Sequence, residues 1–146
     1  MNLYELHMEP AKLYGHEQLK YIPMFAWGEV LSRTQGREPN DLTGEELRAV
    51  VAKDPETAYN YANRVEHGRW EQGEDAIATS AQYSYYYASR VLGGRFEQGE
   101  DAIIDTHWAY DYAYVILQRR WLEAEKYIKQ NENDWNAYKQ AFRMKS

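Results

Sequence analysis

The chain has 146 residues, a net charge of −6 and no cysteine, which excludes disulfides, thiolate metal sites and a Cys nucleophile. Leu, Ile, Val and Phe total 25 residues, below the ~20% share that usually separates folded from disordered chains of high charge, so the 14 Tyr and 5 Trp must build the core together with Ala. No apolar run approaches the ~20 residues of a membrane span, and MNLYELHMEP lacks the basic stretch and apolar centre of a secretory signal. The expectation is a soluble, cytoplasmic, single-domain protein.

Residues 1–40 read as an N-terminal cap of distinct sequence. Leu3, Leu6 and Tyr14 supply local packing, and Pro10 and Pro23 bracket a segment that ends before a degenerate first helix at Phe25-Ala26 and Val30-Leu31. GREPNDLT (36–43) is the clearest loop, and its Thr43 is placed to cap a helix over 45–53. Residues 41–80 hold nine acids against four bases, whereas 121–146 hold five bases against four acids. An acidic chain without clustered Lys and Arg argues against a phosphate-backbone binder.

Internal repetition dominates residues 41–130. Gly68–Ile77 (GRWEQGEDAI) recurs as Gly94–Ile103 (GRFEQGEDAI), and a third copy, RWLEAEKYI, begins at Arg120. Each is preceded by a second recurring block: AYNYANRV from Ala58, SYYYASRV from Ser84 and AYDYAYVI from Ala109. The spacing, about 26 residues, predicts two short helices per unit. Asp54-Pro55-Glu56 starts the first with an N-cap, a proline at the first helical position and an acid in the first turn. Ala58, Tyr61, Ala62 and Val65 then share one face at helical spacing, as do Ser84, Tyr87, Ala88, Val91 and Ala109, Tyr112, Ala113, Ile116. Gly68 is placed to end the helix in a left-handed conformation, a role that Arg119 would not fill in the third copy. The pairs Trp70 and Ile77, Phe96 and Ile103, and Trp121 and Ile128 are each seven apart, with Gly73, Gly99 and Ala124 between them for close packing. WNAYKQAF, within 131–146, continues the series as a C-terminal capping helix. Such helices are marginal alone and predict an all-α, short superhelix of stacked helix–turn–helix units.

The pattern Y-A-x-x-V-x-x-G-R-W/F-x-x-G-E-x-x-I, carried by Tyr61, Ala62, Val65, Gly68, Arg69, Trp70, Glu74, Ile77 and their equivalents, resembles the tandem repeats of uncharacterised proteins encoded by tailed bacteriophages. The opening LYEL is similar as well. The resemblance implies a phage-encoded chain acting in the host cytoplasm, and it assigns no particular activity, since such proteins mostly lack one.

The repeated pairs Arg69/Glu74, Arg95/Glu100 and Arg120/Glu125 read as structural Arg–carboxylate bonds, since every copy keeps them. Tyr61, Tyr87 and Tyr112 read as core, with Trp70, Phe96 and Trp121. Tyr59, Tyr85 and Tyr110 lie about 100° around the helix and are expected to pack between units. The outward slots differ among copies: Asn60, Asn63, Arg64 and His67; Tyr86, Ser89, Arg90 and Gly93; Asp111, Tyr114, Val115 and Gln118. A scaffold repeats what folding needs and varies what recognition uses, so Asn63, Arg64, Tyr86, Arg90, Asp111 and Tyr114 are the candidate binding residues; Tyr and Arg are favoured interface anchors.

No catalytic residue, metal site or cofactor is assigned. The four His show no metal-ligand spacing, and no nucleophile elbow, Walker A or dinucleotide fingerprint is present. The leading expectation is a non-enzymatic protein-binding module directed at a host bacterial protein. The alternatives are a small-ligand binder that stacks a nucleotide between Tyr and Arg, and a structural or virion component that forms homo-oligomers.

Overall fold

The computed structural model describes residues 48, 49 and 51–145. The expected N-terminal cap, the degenerate first helix and the Thr43 cap lie outside the described residues. The chain divides into two compact units, Met1–Ala76 and Ile77–Ser146. Among the described residues every regular element is helical, so the fold class is all-α.

In the first unit, helix α1 (Pro55–Tyr61) starts as its sequence dictates. The Asp54 carboxylate accepts from the Thr57 backbone N–H at 2.9 Å and from its hydroxyl at 2.8 Å, with Pro55 at the first helical position. Ala58 and Ala62 have no exposed surface and Tyr61 only 3%. The Tyr61 ring lies 4.5 Å from that of Trp70. The expected second helix is a single 3₁₀ turn, Glu71–Gly73, running into one α-turn, α2 (Glu74–Ile77). Gly73 is required there: a Cβ would sit 2.6 Å from the Trp70 ring and 3.0 Å from the Ala58 methyl.

The second unit repeats this plan twice. Helix α3 (Ala81–Tyr86) is capped by Ser80 and leads to the 3₁₀ turn Glu97–Gly99 and α4 (Glu100–Ile103). Helix α5 (Trp108–Asp111) leads to the turn Leu122–Ala124 and α6 (Glu125–Ile128). Helix α7 (Glu132–Ala141), capped by Asn131, closes the series. Ser84, Tyr87, Ala88, Ile103, Ala109, Tyr112, Ala113, Ala124 and Tyr138 are all fully buried.

One feature departs from the sequence expectation. The end of each long helix widens into a π-turn, at Ala62–Glu66, Tyr87–Leu92 and Tyr112–Leu117. The carbonyls of Ala62, Ala88 and Ala113 accept from the N–H five residues on. The left-handed position lies one residue before the expected glycine slot. It falls on His67 (φ 55°), Gly93 (φ 64°) and Gln118 (φ 54°), not on Gly68, so replacing that glycine by Arg119 in the third copy leaves the turn intact. His67 and Gln118, read from sequence as outward slots, are therefore helix-terminating positions, and Gly93, at the Gly93-Gly94 pair that reads as a helix-end cap, takes the same role.

Candidate functional site

A polar latch separates scaffold from surface. Arg69 approaches Glu74 at 3.0 Å, Arg95 approaches Glu100 at 2.7 Å and Arg120 approaches Glu125 at 2.8 Å. In all three pairs both carboxylate oxygens face the guanidinium, Arg69 making its second contact with Glu74 at 3.1 Å. In the second unit the tyrosine of the following copy completes the bond network. The Tyr112 hydroxyl donates to Glu100 at 2.6 Å and accepts from the Phe96 backbone N–H at 3.0 Å. Tyr138 does the same with Glu125 at 2.7 Å and Trp121 at 2.8 Å. Burial, then the carboxylate, pushes the Tyr138 hydroxyl up to about 12, and Tyr112 is raised for the same reasons. The Arg120 guanidinium holds the Glu125 carboxyl below its ordinary value. The Glu100 and Glu125 carboxylates are thus committed to arginine and tyrosine within the fold, and Glu74 to Arg69.

Of the sequence-selected binding residues of the second unit, Tyr86 and Arg90 are in direct contact, whereas Asp111 and Tyr114 have other neighbours. Arg90 lays its guanidinium over the Tyr86 ring at 4.1 Å. Tyr86 meets Trp108 edge-on at 5.6 Å, and Tyr85 stacks on the same indole at 5.2 Å. His107 lies 4.9 Å from it. Asp111 is half-buried; burial raises its carboxyl, Asp134 adds to the rise and His107 opposes it. Tyr114, 54% exposed, stacks on Tyr110 at 6.0 Å. Asn63 is half-buried and Arg64 exposed, both in the first unit. The second row of tyrosines is not uniform: Tyr59 is buried in the first unit, whereas Tyr85 and Tyr110 are half-buried in aromatic stacks.

Two features escaped sequence reading. Trp108, the hub of the cluster, stands where the earlier copies carry Thr57 and Tyr83, and only that rising aromatic size marks it. Beside Tyr114, an open cleft of about 480 Å³ is lined by Tyr114, Val115, Gln118, Ala141 and Phe142. Its signal was the break in the series Arg64, Arg90, Val115. A smaller cleft of about 270 Å³ includes Arg95, Glu100, Arg119 and Glu123; its charges are mixed, and Arg95 and Glu100 already belong to the latch.

Among the described residues no group of three or more His, Asp or Glu is arranged to hold a metal, and no helix is long and apolar enough to cross a membrane. No family model, no curated protein and no solved structure matches the chain.

Proposed function

We propose that this chain is a non-enzymatic protein-binding repeat module, encoded by a tailed bacteriophage and inhibiting or modulating a bacterial protein in the host cytoplasm. The phage origin rests on the resemblance of the repeat motif. The binding role rests on one observation above all. Slots that pack alike in each copy are closed into the latch and core, while the variable slots leave Tyr114 and Val115 exposed at 54% and 43% and pair Arg90 with Tyr86. Exposed aromatic and arginine groups on a rigid helical frame are what protein interfaces use as anchors. The nucleotide alternative has less support. One face of Tyr86 is covered by Arg90 and its edge meets Trp108, so a base would have to displace the chain's own cation.

The test is affinity capture. The tagged whole chain is incubated with bacterial lysate, with and without nuclease and dialysis, and the retained proteins are identified by mass spectrometry. Stoichiometric retention of one host protein supports the reading. Retention of nothing but a dialysable nucleotide, or a self-associated chain alone, refutes it in favour of a ligand-binding or structural role.

A further inference from the structure

We infer that the cleft formed by Tyr114, Val115 and Phe142 receives an apolar side chain from an acidic segment of the partner protein; this deepens the protein-binding reading and rests on it. The repeat supplies the first ground. The slot occupied by Arg64 and Arg90 in two copies becomes Val115 in the third and Ala141 in the capping helix. A charged row turns apolar while it remains on the surface, with Val115 43% exposed.

The walls are braced. Phe142 packs edge-on against the fully buried Tyr138 ring at 4.9 Å, with an interplanar angle of 65°. Tyr114 is held by its stack on Tyr110. A preformed slot that joins the hydrocarbon of Val115, Ala141 and Phe142 to the polar groups of Gln118 and Tyr114 accepts an aromatic or aliphatic anchor at a small ordering cost on this side. Being open, it suits a side chain presented by a larger surface better than an enclosed small molecule.

Charge selects the occupant's flanks. From Trp135 to Lys145 the chain carries Lys139, Arg143 and Lys145 and no acid, in a protein whose net charge is −6. Arg143 and Lys145 are exposed, and Arg143 directly follows Phe142. The exposed cations just past Phe142 attract acidic groups within about a Debye length, roughly 8–10 Å at ordinary salt.

The scaffold itself provides the test variants. Val115→Arg installs the residue that two other copies carry in the same slot. Arg143→Gln removes a cation while leaving, at φ 55°, a residue type that Gln118 shows to be tolerated at φ 54°. The whole chain is panned against a display library of random dodecapeptides, and the enriched peptides are titrated by fluorescence anisotropy at two salt concentrations. The expected winners carry an aromatic, Leu, Ile or Met anchor flanked by Asp or Glu. Val115→Arg should weaken them about tenfold or more. Arg143→Gln should weaken them less and flatten the salt dependence. Winners with basic flanks, or affinity indifferent to Val115→Arg in a variant whose helicity is unchanged, overturn the inference. So does sedimentation showing that the wild type self-associates and Val115→Arg does not, because the occupant is then a second copy. If the lysate yields a host protein that Val115→Arg still retains, the cleft assignment fails and the binding module stands. If acidic peptides need Val115 but the lysate yields no protein, the cleft chemistry stands and the host-directed reading fails.

Discussion

Replacing Tyr138 by Phe removes one oxygen and leaves the ring, so no cavity forms and the hydrogen bonds alone are tested. That oxygen accepts from the Trp121 N–H at 2.8 Å and donates to Glu125 at 2.7 Å. Tyr138 has no exposed surface and Trp121 only 4%, so water cannot readily take over either bond. An orphaned buried donor costs about 1–3 kcal/mol. The lost bond to a carboxylate adds about 1.5–3 kcal/mol in isolation, reduced here because Glu125 keeps both Arg120 bonds. The expected loss is therefore about 2–4 kcal/mol in urea unfolding, with an unchanged slope. Tyr112→Phe should cost a similar amount, since Phe96 and Glu100 reproduce the same pair of bonds. Tyr114→Phe, at an exposed ring, should stay within about 0.5 kcal/mol. A Tyr138→Phe loss below about 0.5 kcal/mol would refute the latch as a stabilising element. A double-mutant cycle with Glu125→Gln should give a coupling of about 1 kcal/mol or more.

Gly99→Ala should destabilise by about 1–3 kcal/mol in the same assay, because its Cβ would sit 2.6 Å from Ser84 Cβ and 2.8 Å from the Phe96 ring. Gln118→Gly should leave stability unchanged or raise it by up to about 1 kcal/mol, and Gly93→Ala should lower it by a similar amount, since both sit at positive φ. The depressed Glu125 carboxyl contributes stability that is complete above its unfolded value of ~4.3 and is lost as pH falls through the folded one. Glu125→Gln should therefore flatten the acid limb of the stability curve. The raised Tyr138 hydroxyl contributes stability that is complete below its unfolded value of ~10 and is lost as pH rises toward about 12. Asp111 works the other way from Glu125: its raised carboxyl favours the protonated fold, so Asp111→Asn should stabilise the protein at neutral pH, read by thermal melts at pH 4 and pH 7.

Much of the frame was legible because it rests on local chemistry and spacing. Asp54-Pro55 specified a cap that needs only a carboxylate three residues before an N–H. Trp70 and Ile77, seven apart, are both buried, as are Ala58, Tyr61 and Ala62 at helical spacing. The Arg–Glu bond could be read from its recurrence. The π-turns could not, because the widened turn has no residue signature; Ala62-Asn63-Arg64 reads equally well as ordinary helix. Missing them put the left-handed residue at Gly68, where glycine preference pointed, instead of at His67. Tyr112 was visible as a large core group and Tyr138 only as part of the half-copy WNAYKQAF, but the reach of a hydroxyl to an N–H 16 or 17 residues earlier is a property of stacking between copies. The surface was half legible: variation marked Tyr86, Arg90, Asp111 and Tyr114, while the role of Trp108 and the cleft against Phe142 depends on which helix ends the fold brings together.

The central claim is that fold and recognition occupy different faces of the same helices. The most direct measurement is calorimetric titration of the captured host protein with the wild-type chain and with an Arg90→Ser, Tyr114→Ser double variant. Arg90 and Tyr114 are both exposed, so melting should shift by no more than about 1 kcal/mol equivalent, while affinity should fall at least about tenfold. Unchanged affinity in a folded double variant would contradict the claim, as would unfolding of the variant, which would place these side chains in the scaffold.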